Sequence, residues 1–167
     1  MRRISAEYLY DGGSSEPLRN AYVEVADDGT VLAVGKVENP EAEPEFHKGA
    51  IVPGFVNTHC HLELSYLKGK FRKGTGMAGF IDQINEMRDT SSMEEKKADI
   101  AFWMNEMWKR GVTAMGDISN CSDTFECKAD SPMYTRTFLE VFGTEPQDCQ
   151  DVIDNVLELQ KTADKYG

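Results

Sequence analysis

Apolar and polar positions divide the chain into two patterns. Up to residue 50 the signals are those of short strands. Ile4 to Tyr10 is closed by Asp11-Gly12-Gly13, and Ala21 to Ala26 and Thr30 to Gly35 flank Asp27-Asp28-Gly29, whose Asp-Gly pair predicts a hairpin. Glu38 to Glu45, acidic and interrupted by Pro40 and Pro44, predicts a loop, and Phe46 to Ala50 leads into an apolar, β-branched run from Ile51. From there strand and helix signals alternate. Leu64 to Gly76, rich in Lys, Arg and Gly, predicts a loop. Met77, Phe80, Ile81, Ile84 and Met87 then recur at helical spacing, as a stripe expected to face the core. Ser92 with Glu95 predicts a capping box for a second helix, which carries Ile100, Met104, Met107 and Trp108 and stops at Gly111. Val112 to Met115 reads as a strand ending in Gly116-Asp117-Ile118-Ser119-Asn120, residues 121–132 as a loop, and Tyr134 to Phe142 as a further strand. Thr144-Glu145-Pro146-Gln147 predicts the start of a last helix, with Val152, Ile153, Val156 and Leu157 on its apolar face. The pattern predicts an α/β fold: a β-subdomain over residues 1–50, then a βα layer with parallel strands near 51–56, 112–116 and 135–141.

The length, 167 residues, suffices for an ordinary domain with a sizeable core, and the hydrophobic and charged fractions, 40% and 28%, are those of a globular chain. A net charge of −11 disfavours nucleic acid and anionic membrane surfaces as partners; a solvated acidic surface accounts for it. The basic start, Met1 to Glu7, lacks the apolar run of a signal peptide, and no stretch is long and apolar enough to span a bilayer. Cys60, Cys121, Cys127 and Cys149 form no C-x-x-C pair and read as reduced thiols of a cytoplasmic protein.

The candidate chemistry lies in His59-Cys60-His61. Residues two apart on a strand share a face, so His59 and His61 project together while Thr58 and Cys60 face the other way. Two imidazoles converging at a strand end are a ready pair of ligands for a divalent metal. On a regular strand Asn57 shares that face and is expected to orient the strand end rather than to react. His47, in the first segment, reads as a surface or linker histidine.

The longer motif, Pro53-Gly54-Phe55-Val56-Asn57-Thr58-His59-Cys60-His61-Leu62-Glu63, resembles the first barrel strand of the amidohydrolase superfamily. The likeness is to its aminohydrolase branch, which includes cytosine deaminase, the chlorohydrolases and aminodeoxyfutalosine deaminase. It implies that residues 1–50 belong to a small β-sandwich and that 51–167 are the first part of a (β/α)8 TIM-type barrel, about three strands, cut before the fourth. A complete barrel takes typically about 250 residues. It also implies a zinc or iron ion held by His59 and His61, whose bound water attacks the amine-bearing carbon of a purine- or pyrimidine-like ring. The family takes further ligands and its acid/base groups from the fifth, sixth and eighth strands. Of the three histidines here none follows His61, so no residue matches those positions and no catalytic residue is assigned.

Glu63 is placed to bond a ring nitrogen of the substrate or, alternatively, nearby backbone N–H groups. Asp117 and Asn120, after the second strand, are candidates for substrate contact or for loop capping. Cyclic-amide hydrolysis within the same superfamily is an alternative activity, and a catalytically silent metal-binding or interaction fragment is an alternative of another class. The incomplete barrel is expected to leave an open edge, and with it self-association into homo-oligomers.

Overall fold

The Asp27-Asp28-Gly29 turn forms as its residues dictate: Gly29 takes the left-handed φ of 87°, Asp28 accepts a bond from the Thr30 amide at 2.9 Å, and Ala26 N–H closes the loop on Thr30 O at 2.8 Å. The computed structural model describes residues 1–38, 44–88, 90–141 and 146–166. The chain divides into two compact units, residues 1–53 and 54–167.

In the first unit β1 (Arg2–Leu9), β2 (Ala21–Val25), β3 (Val31–Lys36) and β4 (Glu45–Ile51) form one sheet in the order β3-β2-β1-β4. The β1-β2 and β2-β3 pairs are antiparallel and β1-β4 is parallel. Ala6, Leu9 and Ala21 are its buried apolar residues. The described residues of this unit make a single sheet, not two facing layers. His47 is exposed on β4, 2.9 Å from Glu45 Oε1, as a surface histidine. Part of the acidic loop expected over 38–45 lies outside the described residues; Glu45 belongs to β4.

The second unit is built on three parallel strands, β5 (Phe55–Cys60), β6 (Val112–Ser119) and β7 (Tyr134–Leu139), in that order. The first of them begins at Phe55, not Ile51. Ile51 ends β4, and Val52-Pro53-Gly54 separates the sheets. Proline carries no N–H for a ladder, and Gly54 passes so close to Thr113 that an added Cβ would sit 2.2 Å from its Oγ1. The parallel pairing of the first and second strands is as expected, but β6 runs on to Ser119, so residues read as a rim lie within the sheet.

Helices α1 (Gly76–Met87), α2 (Met93–Lys109), α3 (Phe125–Ala129) and α4 (Cys149–Ala163) complete the unit. The α2 start carries the predicted capping box: Ser92 Oγ accepts from Glu95 N at 3.2 Å and Glu95 Oε2 accepts from Ser92 N at 2.8 Å. Ser92→Ala is expected to cost about 1 kcal/mol, read as a lowered urea midpoint with unchanged slope. The core joins Leu62, Ile100, Met104, Met115 and Met133, with Cys60, Met107, Val112 and Cys127 at its edge, so α2 covers one face of the sheet.

Two apolar stripes differ from expectation. On α1, Met77, Phe80 and Ile81 are exposed, and the buried residue is Gln83. Its Oε1 accepts from Arg72 N at 2.7 Å and its amide donates to Gly79 O and Thr75 Oγ1, which pins the preceding loop. On α4, Ile153 and Leu157 are exposed and Val152 and Val156 half-buried; Thr144 and Glu145 of the expected capping box lie outside the described residues. The segment read as a loop before β7 holds α3, and a 3-10 turn, Leu62–Leu67, replaces the start of the loop expected from Leu64.

Candidate metal centre

Parallel pairing sets β5 beside β6 as Val56↔Ala114 and Asn57↔Met115, and then as Cys60↔Asp117. Three steps along β5 match two along β6, so β5 carries one extra residue, a bulge at Thr58-His59. The bulge resets the alternation. Asn57 turns toward the helices, with its amide nitrogen 3.8 Å from Met107 Sδ, instead of sharing the face of His59. Its carbonyl oxygen lies 3.4 Å from the His59 amide, so it still braces the strand end. Cys60 also faces the helices: its Sγ is 3.8 Å from Met115 Sδ and 3.6 Å from Asp117 Oδ1, turned away from the histidines as expected. Burial, reinforced by the Asp117 charge, pushes its thiol up to about 12.

His59 lies exposed at the C-terminal end of β5, and His61 follows at the entry to the 3-10 turn. Their ring centroids are 5.4 Å apart with planes at 67°, so the pair converges. His61 Nδ1 is 3.3 Å from Glu63 Oε1, which leaves Nε2 as the nitrogen free to ligate; a carboxylate on the far ring nitrogen is the usual way a ligating imidazole is oriented. Glu63 is 5% exposed, and its Oε2 is buried with no hydrogen-bond partner among the described residues. Burial pushes its carboxyl above the ordinary range, with the Asp117 charge adding and His61 opposing. Two converging imidazoles, one braced by a buried carboxylate, suit a divalent ion as two of its ligands. Among the described residues no group of three or more His, Cys, Asp and Glu side chains is arranged to hold one.

The other two candidates are not brought to the histidines. Asp117 was expected on a substrate-facing rim, but it is 0% exposed within β6, on the helix side of the sheet. Its Oδ1 accepts from Leu62 N at 2.8 Å, and it pairs with Lys128. Asn120, just past β6, lines a small recess with Arg88, Glu140 and Val152, Val156 and Leu159 of α4. Glu140 Oε2 is buried there without a partner among the described residues; the sequence pattern placed this polar group in the third strand. A carboxylate interrupting the apolar run Phe138-Leu139-Glu140-Val141 was the available signal.

Burial also raises the Cys121 thiol from its ordinary 9.0 to about 11. A rise of two units leaves about a hundredfold less thiolate at pH 8. In labelling with an iodoacetamide at pH 8, Cys149, which is exposed, is expected to react first, with Cys60 and Cys121 lagging by at least about two orders of magnitude. Because folding favours the protonated form of both half-buried thiols, their contribution to stability is complete below the ordinary thiol range. It is lost as the pH rises from about 9 toward 11 to 12.

No protein-family model matches the chain. Among curated proteins it is 29% identical over 93 residues to 5-methylthioadenosine/S-adenosylhomocysteine deaminase of Natronomonas pharaonis, a match spanning 56% of this chain and 22% of that one. It is 27% identical over 148 residues to aminodeoxyfutalosine deaminase of a Nitratiruptor species, covering 85% of this chain and 36% of the relative. The structure superposes on aminofutalosine deaminase of Helicobacter pylori, solved in complex with methylthio-coformycin, with a TM-score of 0.73 at 21% identity, over 96% of this chain and 41% of that one. Atrazine chlorohydrolase of Arthrobacter aurescens, complexed with zinc, gives a TM-score of 0.60 at 18% identity, over 92% of this chain and 43% of that one. The chain thus spans well under half the length of these proteins. The resemblance read from residues 53–63 is borne out, since the relatives are deaminases and the fold is one that amidohydrolases share.

Proposed function

We propose that the chain is the first part of a metal-dependent amidohydrolase that deaminates an aminated heterocycle of purine or pyrimidine type. The observation that carries this reading is the convergence of His59 and His61 at the C-terminal end of β5, the edge on which barrel enzymes assemble their sites, in a chain whose relatives are deaminases. Zinc or iron is the ion the pair would hold, and the zinc-bound neighbour of the same fold favours zinc. When bound, such an ion supplies Lewis-acid activation of water near neutral pH.

The residues of this chain hold and orient. His61 presents Nε2 because Glu63 occupies Nδ1, and His59 stands beside it. Glu63 Oε2, without a partner among the described residues, is the atom that would take a donor from the substrate ring, and Asn120 would contact substrate at the rim. No proton transfer is assigned here; that work and the remaining ligands fall to later strands of a longer protein. In this reading β5, β6 and β7 are the first three strands of an eight-stranded barrel, and residues 1–50 are part of a flanking β-sandwich.

Zinc titration of the chain and of the H59A/H61A double variant tests the ligand assignment. Weak uptake by the chain and none by the variant is the expected result. Equal uptake by both would remove the metal centre and favour the interaction-fragment reading.

A further inference from the structure

We propose that Asp117 is a positioning residue for the metal centre, tying the two residues that flank His61 to the rest of the sheet. The proposal rests on reading His59 and His61 as ligands. Asp117 is fully buried, and its two oxygens are divided between two tasks. Oδ1 faces the ligand segment: it accepts from Leu62 N at 2.8 Å and lies 3.6 Å from Cys60 Sγ. Oδ2 faces the scaffold: it pairs with Lys128 Nζ and lies 3.5 Å from Thr124 Oγ1, while Lys128 Nζ also donates to Thr137 Oγ1 at 2.9 Å. One carboxylate thereby connects the end of β5 to β6, α3 and β7.

The position of the bond gives it its consequence. Cys60↔Asp117 is the last residue pair between β5 and β6, so Leu62 N lies beyond the ladder and the Asp117 side chain takes the place of a strand partner. His61 sits between two residues held by the same oxygen. As a source of stability the charge pairing itself is replaceable, since an apolar pair of similar volume often does as well as a buried ion pair. An acceptor aimed at one backbone N–H beside a ligand is what an apolar pair cannot provide.

Asp117→Asn and Asp117→Ala separate the two tasks. Both break the ion pair and lower stability, but only the carboxamide keeps an oxygen for Leu62 N. Zinc affinity of the chain, measured by competition with a chromophoric chelator, is expected to fall about 10- to 100-fold in folded D117A and less than tenfold in D117N, with the His61 ring signals displaced in two-dimensional NMR of D117A only. Zinc affinities that fall together in both variants, or that match the unsubstituted chain in folded D117A, would overturn the proposal. If D117A does not fold, amide exchange in the unsubstituted chain decides: the Leu62 N–H is expected to be protected like those of β6, and exchange as fast as in exposed loops would overturn the tie. Uptake of zinc by H59A equal to that of the chain would instead overturn the ligand reading on which this one stands.

Discussion

Incubated alone with zinc, the 167-residue chain is expected to release no measurable ammonia from aminopurines or aminopyrimidines. In the proposed reading two histidines supply two donors, whereas a catalytic zinc site typically holds about three protein ligands and a water. The acid/base groups in that reading come from later strands, and such groups contribute roughly two to four orders of magnitude in rate. Both deficits act on the same step, so the combined loss is expected to exceed about 10⁴-fold relative to a protein that carries the later strands. The measurement is coupled ammonia detection on the purified chain and on a longer protein containing it, each with and without zinc. In the longer protein, His59→Ala is expected to abolish turnover. Deamination by the chain alone would mean that a second copy completes the site or that the reading of its function is wrong.

A second large effect is expected at Lys128. Lys128→Met leaves the Asp117 carboxylate buried without its countercharge, and breaking a buried pair from one side costs about 3–5 kcal/mol. Against the 5–15 kcal/mol typical of a whole domain, roughly a fifth or more of the stability would be lost. The double variant D117L/K128M is expected to recover only part of that loss, because it removes both charges together but leaves the Leu62 N–H without its acceptor. Urea unfolding of the three proteins checks this, and a K128M chain within about 1 kcal/mol of the original would contradict the assignment.

Local chemistry made much of the molecule legible. The Asp-Gly hairpin, the Ser92–Glu95 cap and the three longer helices follow from residues near one another in sequence, and the parallel pairing of β5 with β6 from the alternation of strand and helix signals. The histidine pair was legible for the same reason. Asn57 was misplaced because a one-residue bulge resets the strand period, and nothing in Asn57-Thr58-His59 announces it. Asp117 read as a rim residue because a charged side chain is rarely buried unless paired. Its partner sits in a short helix 11 residues later, in a segment whose local signals are those of a loop. The stripe on α1 read as core because periodicity reports that a helix has an apolar face, not what covers it.

The face of the parallel sheet turned away from α2 bears on how the chain behaves in solution. Val56, Tyr134 and Phe138 are each half or more exposed there. At −11 the molecules repel one another, but only over a Debye length, about 10 Å at 0.1 M salt and about 3 Å at 1 M. Low ionic strength should therefore keep the chain dispersed. Added salt should let these faces meet and clump, so that ionic strength as well as protein concentration governs whether a clear sample stays clear.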